Sequence, residues 1–107
     1  MTRVLRKGRM GGNWIAKLGY NYGDVLTVHA HSGEIVYQFH ENGVERTLEL
    51  VKFARKNKLK LIQVKKNGGS PFIEIPETSR KKAGFTPDER LCAIFEDGLL
   101  KLQPADS

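Results

Sequence analysis

The clearest period-two pattern runs through Val25-Leu26-Thr27-Val28-His29-Ala30 and then Glu34 to Phe39, on either side of Ser32-Gly33. Apolar runs of that length, broken by a Ser-Gly pair, predict two antiparallel strands joined by a tight turn. A second hairpin is predicted from Arg90 to Phe95 and Leu99 to Leu102, around the stronger turn dipeptide Asp97-Gly98. Further strands are predicted at Thr2 to Leu5, Leu59 to Val64 and Phe72 to Ile75, the last stopped by Pro76.

Helical spacing dominates only once. Val44, Leu48 and Val51 form one stripe, with Leu50, Phe53 and Ala54 beside it, which predicts a middle helix over Glu45 to Asn57 within a helical connection of residues 44–58. Its second half carries Lys52, Arg55, Lys56 and Lys58, as suits a helix C-terminus. Two shorter helices are read from their caps. Asn13 caps Trp14 to Leu18, closed by Gly19, and Thr78 or Ser79 caps a turn through Ala83, closed by Gly84. Arg6-Lys7-Gly8-Arg9 reads as a basic loop, residues 65–71 as a basic, glycine-rich loop, and residues 104–107 as a frayed tail.

These elements repeat. Residues 10–38 and 75–103 follow one plan at an offset of 65 residues: short helix, Gly-aromatic, acidic turn, strand, Gly turn, strand. Lys17 aligns with Lys82, Gly19 with Gly84, Leu26 with Leu91, Gly33 with Gly98 and Gln38 with Gln103. One hairpin with a short helix cannot bury its apolar face alone, whereas two can bury theirs against each other. The expected result is a closed two-unit barrel with few exposed strand edges.

Composition narrows the class. A chain of 107 residues fits one domain, and 39% hydrophobic against 28% charged residues is a folded rather than a disordered balance. Cys92 is the sole cysteine, which excludes a disulfide-stapled scaffold and makes a reducing, cytoplasmic setting the default. It lies in the apolar run Leu91 to Phe95 and reads as a buried strand position. No apolar run reaches about eighteen residues, so no membrane helix is expected. The basic start of the chain is followed by glycines rather than by an apolar signal core. The net charge of +6, from 18 Lys and Arg against 12 Asp and Glu, favours a polyanionic partner. Lysine and arginine placed on phosphates release condensed counterions, and that release drives binding.

A family resemblance adds to this. Gly68-Gly69-Ser70-Pro71-Phe72-Ile73-Glu74-Ile75-Pro76, then Arg80-Lys81-Lys82-Ala83-Gly84-Phe85, resembles the AbrB/MazE swapped-hairpin group, and residues 88–102 continue its acidic-ended hairpin. Gly12-Asn13-Trp14-Ile15-Ala16-Lys17-Leu18-Gly19-Tyr20, with Gly23-Asp24 after it, looks like the SymE-type toxins, which share the AbrB-like fold. The first unit lacks Ile-Pro before its helix, and residues 41–64 are not part of the usual unit. The resemblance implies an AbrB-like swapped-hairpin barrel built from two tandem units, and with the middle helix read from spacing the expected fold is mainly β with one middle helix. The chain would then be a monomer with a pseudo-two-fold axis or a homodimer.

The function implied is nucleic-acid binding without catalysis. Double-stranded DNA is ranked ahead of RNA, and the role is a transcriptional regulator or an antitoxin with a cognate toxin as protein partner. No cofactor and no metal are called for. The contacts fall on the basic segment before each short helix, Arg6, Lys7 and Arg9 in the first unit and Lys65 and Lys66 in the second. Arg80, Lys81 and Lys82 make a third cluster. Trp14, Tyr20 and Tyr22 could stack on unpaired bases, although Trp14 and Tyr20 read first as core. Two other functions stand behind this one. A SymE-like RNA-cleaving toxin would use His29, His31 or nearby acids; His29 and His31 share a strand face and with His40 could supply an acid-base pair. A small phage-type inhibitor module would use the basic surface to block a nucleic-acid interface.

Overall fold

The computed structural model describes residues 2–5 and 9–105. In chain order the elements are β1 (Thr2–Val4), β2 (Met10–Gly11), α1 (Asn13–Lys17), β3 (Val25–His31), β4 (Glu34–His40) and α2 (Thr47–Lys56). They continue with β5 (Lys60–Gln63), β6 (Lys65–Asn67), β7 (Ser70–Ile73), α3 (Glu77–Ala83), β8 (Leu91–Glu96) and β9 (Leu99–Pro104). The protein is mainly β, as the alternation requires. Both expected hairpins form, β3–β4 with Ser32-Gly33 at its tip and β8–β9 with Asp97-Gly98 at its tip. Asp97 at φ 53 and Gly98 at φ 76 give the two positive values of a type I′ turn.

The strands do not close into a barrel. Among the described residues they form a six-stranded antiparallel sheet, ordered β1-β8-β9-β4-β3-β5, and a three-stranded sheet, ordered β2-β7-β6. The larger sheet ends in open edges at β1 and β5, because the β6–β7 hairpin pairs with β2 instead of with either edge. That small hairpin corrects the expectation of a loop at residues 65–71. Gly68 at φ 60 and Gly69 at φ 88 supply a two-residue turn that only glycine adopts at low cost.

The inner face of the large sheet carries Leu26, Val28 and Ile35 from the first hairpin and Leu91, Leu100 and Leu102 from the second. Each such side chain contributes about 1.5–3 kcal/mol by leaving water. The small sheet and the two short helices cover this face with Met10, Ile73, Ile15, Tyr20, Ala83 and Phe85. The helix starts differ from expectation. Gly12, at φ 124, stands before α1 and Asn13 is its first residue; Pro76, at φ −60 and ψ 136, precedes α3. Gly84 closes α3 in the left-handed conformation, as expected.

The middle helix α2 packs against β5 and buries Leu50 and Ala54. Of the two apolar stripes in the sequence, the second therefore faces the protein, while Val44 and Leu48 stay 62% and 81% exposed. Cys92 is half-buried rather than buried, since it alternates with the inward Leu91 and Ala93. No helix among the described residues is long and apolar enough to cross a membrane.

The two hairpins meet at β4 and β9, paired Ile35 to Leu102 and Tyr37 to Leu100. Residues 65 apart exchange places in this ladder, so the pairing is unchanged when the hairpins are swapped. Other segments cross between the halves. The Gly33 N–H donates to the Ala83 carbonyl at 2.9 Å, the Tyr37 hydroxyl to the Glu74 carbonyl at 2.9 Å, and β1 pairs with β8.

Candidate nucleic-acid interface

The small sheet sorts its residues by strand alternation. Met10 and Ile73, paired with each other, are fully buried. Their neighbours Arg9, Gly11 and Phe72 therefore take the opposite face, together with Ser70, Lys65 and Asn67 by register. This face opens on a groove of about 650 Å³, walled by Arg3, Arg9, Trp14, Asn67, Ser70 and Phe72. Among the described residues no carboxylate lines it.

Local contacts fix the groove's wall. The Gly12 N–H donates to the Pro71 carbonyl at 3.1 Å, tying the start of α1 to β7. The Trp14 indole Nε1 donates to the Gly11 carbonyl at 3.1 Å, and the Arg3 guanidinium sits 5.3 Å above its ring. Cation and ring attract through the ring quadrupole, which holds a positive charge at the groove rim. Trp14 is thus half-buried, with one side on the core and the other on the groove, rather than a core residue. Tyr20 is core, as expected.

The expected contact residues divide. Arg9 lies on the groove, while Arg6 and Lys7 lie outside the described residues. Lys65 shares that strand face by register but borders a separate groove, where it pairs with Glu74 at 3.6 Å. Lys66 points the other way and stands 5.1 Å over the ring of Tyr22. Tyr22 belongs to a turn held to the β5–β6 junction by the Gly23 N–H to the Val64 carbonyl and the Val64 N–H to the Asp24 carbonyl, both 2.9 Å. The third cluster does not act as one group. Arg80 donates to the Thr86 carbonyl at 3.3 Å, Lys81 pairs with Glu77 at 3.6 Å, and Lys82 faces β5 in a separate groove.

The histidines are dispersed. His29 and His31 lie with ring centroids 5.4 Å apart, and His31 contacts Glu34 at 3.0 Å. His40 sits at the far end of the hairpin, 2.8 Å from the Thr27 hydroxyl and against Phe53. Burial, with the nearby Arg46 charge, lowers its pKa from the ordinary value. None of the three borders the Arg3–Arg9 groove.

Arg3, Asn67, Ser70 and Phe72 were not legible as site residues. The signal that could have found them is the Gly68-Gly69 turn, which fixes the register of the strands on both sides. Comparison of the chain with protein-family models, with curated proteins and with solved structures finds no match.

Proposed function

We propose that this chain is a nucleic-acid-binding protein made of two tandem AbrB-like units. Its ligand on this reading is double-stranded DNA, and its role that of a transcriptional regulator or antitoxin. The observation that carries the reading is the exposed face of the small sheet. There Arg9 and Arg3 line the groove, and β6, two strands from β2 and so about 10 Å away, adds Lys65 to the same sheet face by register, beside Glu74. The sequence relates these segments as equivalent places in the two units; β7 lies between their strands. The exchange symmetry of the β4–β9 ladder supports the tandem-unit part of the proposal.

Trp14 and Phe72 favour a second ligand, single-stranded DNA or RNA, because half-buried rings beside arginines suit unpaired bases. Fluorescence anisotropy with labelled duplex DNA, single-stranded DNA and RNA, each over a salt series, tests both. Duplex binding should weaken linearly in log salt, and Arg9→Ala or Lys65→Ala should each shallow the slope by roughly one unit. Tighter binding to the single strands, lost in Trp14→Ala, selects the second ligand. The absence of salt-dependent binding to all three overturns nucleic-acid binding.

A further inference from the structure

Away from the small sheet, α3, β5 and the residues after α2 enclose a second groove, of about 260 Å³, and we infer that it is an anion site that takes a phosphate group. Its walls carry Lys58, Lys60, Lys82 and Thr78 over a floor of Val28 and Ala30. This site uses none of the residues placed on the small sheet, and its standing does not depend on the function proposed above.

Each lysine arrives by a different route. Thr78 and Lys82 are four residues apart on α3, hence on one face of that helix. Lys60 is the first residue of β5, paired with Val28 of β3, and its Nζ donates to the Thr78 hydroxyl at 3.3 Å. Lys58 follows the α2 C-cap Asn57 with φ 56, in the region that favours glycine. The chain thus holds a lysine at a backbone position where it is strained.

The charge balance points to an anion. Among the described residues, none of these three lysines is ion-paired, whereas Lys65, Lys81 and Lys101 each meet a glutamate. Among the described residues no carboxylate lines the groove. Three lysines line one small concavity, and a bound anion would balance their like charges. A phosphate matches this set better than a carboxylate does. It carries more charge and more acceptor oxygens, and lysine binds it as a point charge from several directions. Thr78 adds a hydroxyl that can donate to one more oxygen. The phosphate can belong to a nucleic-acid backbone or to a free phosphorylated small molecule.

Calorimetric titration of the full chain with inorganic phosphate, against chloride at equal ionic strength, tests the site. Wild type should bind phosphate saturably, and Lys60→Gln and Lys82→Gln should each weaken it about tenfold. Lys82→Arg should retain it. Lys58→Gly separates charge from architecture: glycine suits the backbone there, so the variant should melt at a higher temperature yet bind phosphate more weakly. The same variants in a duplex salt series identify the source. A slope reduced by about one per lysine assigns the site to nucleic-acid phosphate, and an unchanged slope assigns it to a free phosphorylated ligand. Phosphate binding no stronger than chloride binding, or unaltered in Lys60→Gln and Lys82→Gln, overturns the inference.

Discussion

Tyr20 and Phe85 stand 65 residues apart, each one residue beyond a glycine with positive φ, and both are buried. Tyr20 packs edge-on against Phe39 and Phe95, with ring centroids 6.4 and 6.0 Å away. Its hydroxyl is buried with no hydrogen-bond partner among the described residues, and burial pushes its pKa up to about 12. An unpartnered buried hydroxyl costs free energy that phenylalanine avoids. Tyr20→Phe should therefore leave stability unchanged or raise it by up to about 1 kcal/mol in urea unfolding. Tyr37 is the contrast. Its hydroxyl donates to Glu74 across the halves, so Tyr37→Phe should cost about 1–2 kcal/mol in the same assay. His40 gives a pH dependence of known sign. Its folded pKa lies below the ordinary 6.5, so between those values the unfolded chain binds more protons. The stability it contributes is present above about pH 6.5 and lost as pH falls through the lowered folded value. Melting temperatures of wild type and His40→Gln at pH 7.5, 6 and 5 should diverge toward acid, with wild type losing more.

Among the elements, the hairpins were legible and α2's orientation was not. Asp97-Gly98 and Ser32-Gly33 declare their turns, and the runs beside them alternate over six or seven residues. Lys65-Lys66-Asn67 has no apolar member, so β6 leaves no hydrophobic period to read; its pairing with β7 is fixed by the turn instead. On α2 the two stripes are almost equally apolar, and only the neighbouring surface selects one. Leu59, whose N–H donates to the Ala54 carbonyl at 2.7 Å, turns the chain so that Leu50 and Ala54 face β5. Leu50→Ala should cost about 2–5 kcal/mol. Leu48→Ala should change stability by less than about 0.5 kcal/mol, because that side chain already lies in water. Equal losses in chemical denaturation would refute this orientation. The candidate site divides in the same way. Charge and glycine content marked Arg9 and Lys65, but the groove's far walls come from β1 and β7, strands of two different sheets that tertiary packing brings together.

At the scale of the molecule, the central fact is that neither half owns its core. The β4–β9 ladder joins the two hairpins, β1 of the first half pairs with β8 of the second, and α3 of the second half packs on β3 of the first. Removing one half would expose Leu26, Val28 and Ile35 on one side, or Leu91, Leu100 and Leu102 on the other. A lone hairpin with a short helix has too little apolar area left to offset its conformational entropy. The chain should consequently unfold in a single cooperative step, with calorimetric and van't Hoff enthalpies equal. Native-state hydrogen exchange sharpens the test, because it resolves opening strand by strand. Amides of the β3–β4 and β8–β9 ladders should share one opening free energy, equal to that of global unfolding. Leu100→Ala, a substitution confined to β9, should lower both ladders by the same amount, about 2–5 kcal/mol. If protection falls in β8–β9 while β3–β4 keeps its wild-type value, the halves fold independently and the shared core is not what stabilises the protein.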